Sequence, residues 1–222
     1  MKSILPVFCI LFLSLISVRS FSQKVIGEGV MVYNISIESR NGEKPLSGSL
    51  NGAVLSVYLS KDRSRTEMVS APGSEATVYD NKTEKGYILK EYSGQKLMIT
   101  LTEDNWAEKN RVNRDLKFTT ENTITTIGSY NCRKASATGE DGKTYTVYYD
   151  PTVTITNKMY NNSFPQLQGL PVQYELQQGN LVFRYTLVKY NSEIVATNRF
   201  EAPKSGFRIM SYEDNRQLKK GE

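Results

Sequence analysis

Histidine is absent from this 222-residue chain, and that absence narrows the chemistry its side chains can do. Ser-His-Asp and Cys-His nucleophiles both use an imidazole as general base near neutral pH. Common zinc sites draw on histidine and cysteine ligands. Carboxylate-pair and Ser-Lys chemistries survive. Glu103-Asp104 and Glu140-Asp141 are adjacent acids, but such pairs in loops are usually solvated. A glycosidase needs two carboxylates held at a set separation across a cleft. No glycine-rich phosphate loop is present. Asp80-Asn81-Lys82-Thr83-Glu84 lacks the glycine and spacing of a calcium loop and reads as a turn. The expectation is a protein that is not an enzyme, with no catalytic residue, cofactor or metal.

Aromatic residues are the positive signal. Tyr145, Tyr149, Tyr174, Phe183 and Tyr185 fall at inward positions of strand-like segments. Tyr148 faces the other way, so its strand is apolar on both sides. In an antiparallel sheet that implies a covering layer or a cavity. Plain core packing is one outcome. The other is a concave pocket for an apolar ligand, with mainly apolar and aromatic walls.

The elements that would position these residues are strands. Met31, Tyr33, Ile35 and Ile37 alternate with Asn34, Ser36 and Glu38 before the turn Arg40-Asn41-Gly42, the period-2 pattern of a half-buried strand. Further strands are expected at 55–59, 65–71, 77–80, 87–92, 97–101, 124–127, 130–137, 143–150, 172–177, 181–187, 194–200 and 206–212. Ser93-Gly94-Gln95, Gly139-Glu140-Asp141-Gly142 and Gln178-Gly179-Asn180 supply hairpin turns. The long first strand, Lys24–Ser39, is the candidate exposed edge, and edges invite strand addition. Helical signal is thin: Thr102 can cap a short turn through Lys109, and Met159–Phe164 can hold an irregular turn before Pro165. Leaving aside the two four-residue runs, 77–80 and 124–127, about ten or eleven strands in one domain spell an all-β sandwich or barrel.

Residues 1–22 read as a cleavable targeting segment. Lys2 precedes an apolar run from Ile4 to Val18, shorter than the ~20 residues a bilayer-crossing helix needs. Ser20-Phe21-Ser22 favours cleavage before Gln23. Cys9 lies inside the apolar run after Pro6-Val7-Phe8, without the small residues of a lipoprotein site. Losing Lys2 and Arg19 leaves 26 basic and 23 acidic residues, lowering the formal charge from +5 to +3. Those charges are dispersed, without the basic stripe of a nucleic-acid binder. Arg216, Lys219 and Lys220 read as part of a solvated, flexible tail. The mature domain, 23–222, keeps only Cys132, so it has no internal disulfide. A buried, inert thiol is expected there, since free cysteine is among the most buried residue types.

One family resemblance is carried by Gly128-Ser129-Tyr130-Asn131-Cys132-Arg133-Lys134-Ala135, Thr144-Tyr145-Thr146-Val147-Tyr148-Tyr149, Gly169-Leu170-Pro171-Val172 and Phe200-Glu201-Ala202-Pro203. Their order, over about residues 125–213, resembles an uncharacterised family of small periplasmic proteins of Gram-negative bacteria. That family is related to the GLPGLI group and similar to the LolA and LppX superfamily. The resemblance implies a LolA-like fold, an incomplete antiparallel half-barrel around a hydrophobic cavity, with one or two short helices. It implies a soluble periplasmic protein that binds or carries a lipid, an acyl chain or another apolar ligand in its concave face. The candidate ligand-binding residues are Tyr145, Val147, Tyr149, Phe183, Tyr185 and Trp106. The alternative is a non-enzymatic envelope module with a filled core that binds a protein partner. Neither nucleic acid nor a membrane span in the mature chain is expected.

Overall fold

The computed structural model describes residues 24–40, 52–139, 142–160 and 163–220. The targeting segment, the Asn41-Gly42 turn and the Glu140-Asp141 pair lie outside the described residues. The first strands are β1 (Lys24–Ile26), β2 (Gly29–Ser39), β3 (Val54–Leu59), β4 (Arg63–Ser70), β5 (Gly73–Asp80), β6 (Lys85–Tyr92) and β7 (Gln95–Leu101). Helices α1 (Glu103–Lys109) and α2 (Arg111–Arg114) follow. The chain then returns to strand with β8 (Thr119–Ile127), β9 (Tyr130–Thr138), β10 (Thr144–Asp150), β11 (Val153–Ile155), β12 (Leu170–Gln178) and β13 (Leu181–Asn191). A 3-10 turn at Thr197–Phe200, β14 (Arg208–Met210) and α3 (Tyr212–Lys220) complete it.

Twelve of these strands form one open sheet in the order β14-β7-β6-β5-β4-β3-β2-β13-β12-β10-β9-β8. The fold is mostly β, an open, half-barrel-like sheet as the resemblance implies. All its pairs are antiparallel except β14 with β7. Two meanders make up the sheet. One runs from β2 to β7, and the other joins β8, β9, β10, β12 and β13. The β2–β13 pairing joins them, with Leu187 opposite Tyr33 and Tyr185 opposite Ile35. Tight turns fix register, because a one-residue slip would turn every buried side chain to the wrong face. At the β6–β7 turn Ser93 and Gly94 take φ values of 52° and 77°, the double left-handed conformation of a two-residue hairpin.

Two chain segments cover the inner face. Residues 102–118, which include α1 and α2, connect β7 near one edge of the sheet to β8 at the other. The β11–β12 connection, with the small parallel pair β1–β11, sends Ile26, Val153, Ile155, Tyr160, Phe164 and Leu167 into the main core. These meet Met31, Tyr33, Val57, Val147, Val172 and Tyr174 from the sheet. Residues 192–207 cross the outer face instead. Val195 and Phe200 pack with Val78, Val30, Tyr58 and Tyr87 there, and Phe207 with Ala76, Leu89 and Met98.

Three expectations change. Residues 194–200 are not a strand: Ile194 is 87% exposed while Val195 and Phe200 are buried, as fits a strap laid across a finished sheet. The tail is helical through Lys220. Its early acids Glu213 and Asp214 suit the positive helix start, and Glu213 and Arg216 bond to α1. The first long strand is central rather than an edge, because β2 lies between β3 and β13. The described edges are β14 and β8. With β1, β11 and β14 as three-residue strands, the total rises above the ten or eleven expected.

Candidate binding site

The six candidate ligand residues divide into two places. Five lie on β10 and β13, which flank β12. Val147 and Tyr149 are buried in the main core, with Tyr145 and Tyr185 packed half-buried against it. Tyr185 stacks on Tyr174 with ring centres 4.7 Å apart, and Phe183 sits in register between Leu176 and Ile37.

Around Val147 and its β12 partner Tyr174 the inner face is occupied by the chain itself. Phe164, only 2% exposed, meets Tyr174 edge-on at 5.0 Å and Phe118 at 5.7 Å. Burial pushes the hydroxyls of Tyr33 and Tyr174 well above the ordinary tyrosine range. The Tyr33 hydroxyl donates to the Pro171 carbonyl at 2.8 Å, which satisfies an otherwise costly buried donor. This middle region is packed core.

Trp106 lies elsewhere, on α1, stacked on Tyr79 of β5 with ring centres 4.1 Å apart and planes 13° apart. The local sequence explains its placement. Thr102 accepts the Asn105 N–H while Asn105 accepts the Thr102 N–H, a reciprocal cap that starts the helix. Asn110 Nδ2 closes the far end on the Trp106 carbonyl at 2.8 Å. Helix α3 braces the outside through Asn105 Nδ2 to Glu213 at 2.7 Å and Arg216 to Glu108 at 2.5 Å.

A mainly apolar cavity of about 280 Å³ opens between α1 and Lys158, Met159 and Pro165 of the β11–β12 connection, with Tyr79 and Trp106 among its walls. Ala107, Met159 and Pro165 add apolar surface, and Glu84, Glu103, Arg114 and Lys158 bring charge of both signs. Burial raises the Tyr79 hydroxyl, and the carboxylates of Glu84, Glu103 and Asp80 add to the effect. The facing loop is fixed by Asn157. Its Nδ2 donates to the Ser60 carbonyl at 3.1 Å, and its Oδ1 accepts from Asn81 Nδ2 at 3.1 Å and from the Met159 N–H at 3.2 Å.

A second cavity of about 360 Å³ lies beside β8, lined by Leu116, Lys117, Phe118, Thr120, Tyr149 and residues 166–168. Gln166 Nε2 donates to the Arg114 carbonyl at 3.3 Å, tying together the two segments that frame both cavities. Of the anticipated residues, Trp106 lines the first cavity and Tyr149 the second. Tyr79, Met159 and Pro165 carried no signal in sequence, since nothing in their spacing brings β5 and the β11–β12 connection together. Cys132 is buried and unpaired, with its thiol pushed up to about 11 chiefly by burial.

No family model matches the chain, and no curated protein matches it. Among solved structures it is similar to PNGF-II at 13% identity and a TM-score of 0.47, covering 86% of this chain and 33% of that one. The chain thus spans about a third of PNGF-II's length. It is similar to an uncharacterised conserved protein from Thermus thermophilus at 11% identity and a TM-score of 0.46, covering 83% and 91% of the two chains. It is also similar to the β-barrel-like DUF1849 protein of Brucella abortus at 9% identity and a TM-score of 0.33, covering 77% and 99%. Likeness at this level carries no argument about ligand or activity. Among the described residues no helix is long and apolar enough to cross a membrane.

Proposed function

We propose that the protein is a non-enzymatic binding protein of the Gram-negative periplasm that takes one apolar group, such as the end of an acyl chain, beside Trp106. The observation that carries this is the roughly 280 Å³ mainly apolar cavity between α1 and Lys158, Met159 and Pro165. It lies near the lower limit of ligand pockets, about 300 Å³, and suits a single chain end rather than a whole multi-acyl lipid. Residues of both signs on its walls would bind a polar or zwitterionic head. The packed middle of the inner face argues against cargo lying along Val147 and Tyr174. Export is supported by the apolar N-terminal run, and lack of enzymatic activity by the absence of histidine.

Trp106 is the sole tryptophan, so its emission reports directly on the site. Saturated fatty acids of increasing length should shift that emission. Each added CH₂ contributes about 0.8 kcal/mol, so affinity should rise about tenfold for every two carbons until the cavity is full. Ala107→Phe should fill the space and weaken binding with little change in melting temperature. Unchanged Trp106 emission across the series, with no adduct by native mass spectrometry, would overturn this function.

A further inference from the structure

The two edges of the large sheet are treated differently. Strand β14 is three residues long and includes Arg208. Strand β8 is nine residues long, eight of them exposed, and among the described residues it pairs only with β9. Its sequence, Thr-Thr-Glu-Asn-Thr-Ile-Thr-Thr-Ile, is rich in β-branched residues that favour extended backbone. Edges are commonly blunted by short length, lysine, proline or a bulge. Here the protection is one charged residue, Glu121, and a bulge where the register with β9 shifts between Thr120 and Ile124. The bulge leaves Ile124–Ile127 as a regular ladder, one side of which faces outward. Ile124 is 63% exposed.

Two independent features lie beside this edge. The 360 Å³ cavity reaches Thr120 at the start of β8 and is walled by Leu116, Phe118 and Tyr149 together with Lys117, Gln166 and Gln168. The approach to it is basic. Arg111, Arg114 and Lys117 are exposed, whereas the nearby acids Asp115 and Glu121 are engaged by Arg114 and Lys134 at 3.8 and 2.9 Å.

We propose that β8 is a docking strand for an extended acidic segment of another protein, added antiparallel along Ile124–Ile127 and running toward Lys117. Main-chain hydrogen bonds would supply the attachment, and side-chain pockets the selectivity. The segment would pass Ile127 first and Thr120 last. Its leading residues would therefore be β-branched, the next an aliphatic or aromatic residue entering the Phe118 cavity, and the last acidic residues facing Lys117. A second copy of this chain matches less well. Two β8 strands would align mainly neutral threonines and leave the basic approach unanswered, and a four-residue ladder buries far less than the roughly 1,200 Å² of a stable interface.

The test uses the mature protein and a labelled synthetic peptide, acetyl-Thr-Val-Thr-Val-Thr-Leu-Glu-Asp-amide, with binding read by anisotropy and by amide shifts in NMR spectra. Expected are shifts confined to β8 and its flanks. Binding should be at least about tenfold weaker for the peptide ending Lys-Lys, and similarly weaker for one with proline at its fourth position, which removes a ladder donor. Lys117→Glu should reverse the preference for acidic over basic ends. Equal binding of acidic and basic peptides, shifts mapping to the Trp106 cavity, or no binding would each overturn the proposal. So would a concentration-dependent dimer whose interface is β8, which would assign the edge to a second copy.

Discussion

Replacing Phe164 by alanine asks whether the segment that carries Val153, Ile155, Phe164 and Leu167 is part of the core or a removable cover. Phe164 is fully packed, with edge-on contacts to Tyr174 and Phe118. Truncating a buried phenylalanine costs about 3–5 kcal/mol, and each aromatic pair adds about 0.5–1.5 kcal/mol beyond area burial. The lower figure allows for collapse of Leu167 and Tyr160 into the void. A loss near 4 kcal/mol is expected, which for a chain of this size lowers the melting temperature by about 8–16 °C. Urea unfolding followed by circular dichroism measures it, with the slope m as a check on compactness. A cost below about 1 kcal/mol would refute the reasoning. It would mean that the β11–β12 connection rests loosely on the sheet, and the space before Val147 and Tyr174 would again be available to a ligand.

Gly169 has φ of +142° and its added Cβ would lie 2.4 Å from Tyr149 Cδ2 and 2.8 Å from the Asp150 carbonyl oxygen, so Gly169→Ala should destabilise by at least about 2 kcal/mol in the same urea assay. Alkaline pH should unfold the protein progressively. Cys132 is raised from an ordinary 9.0 to about 11 and Tyr87 from 10.0 to about 12, both chiefly by burial. The unfolded chain therefore loses these protons first, so the stabilisation is complete below pH 9 and falls as pH rises toward 11 and 12. Melting temperatures across pH 8–11 will show the decline, and a flat profile would contradict it. Native Cys132 should also react with a thiol reagent at pH 8 only as fast as the protein opens.

Much of the strand content was legible because buried alternation repeats down each strand. Met31, Tyr33 and Ile35 are buried where their spacing places them, and Thr102 caps α1 as its type suggests. Strand neighbours were not legible. Position along the chain made β2 look like an edge, whereas its partner β13 begins well over a hundred residues later, and no local feature announces that pairing. Ile194-Val195-Ala196 has strand-like residues but no free ladder to join, so tertiary packing makes it a strap. Helix α3 did carry a signal, acids at its start and lysines at its end, masked by its high polarity. The candidate cavity was visible only through Trp106, because Tyr79, Met159 and Pro165 come from separate parts of the chain.

The β2–β13 seam has a consequence for how the molecule assembles. Each meander can form from hairpins a few residues apart, but the seam joins Tyr33 to Leu187 and Val30 to Asn191. Closing so long a loop costs entropy before any contact repays it. Synthesis therefore leaves β2 with one side unpaired until β13 emerges near the end of the chain, the interval in which it is most exposed to wrong partners. Folding should be governed by this late meeting, and substitutions along the seam should slow it more than equally destabilising ones in the β4–β6 hairpins.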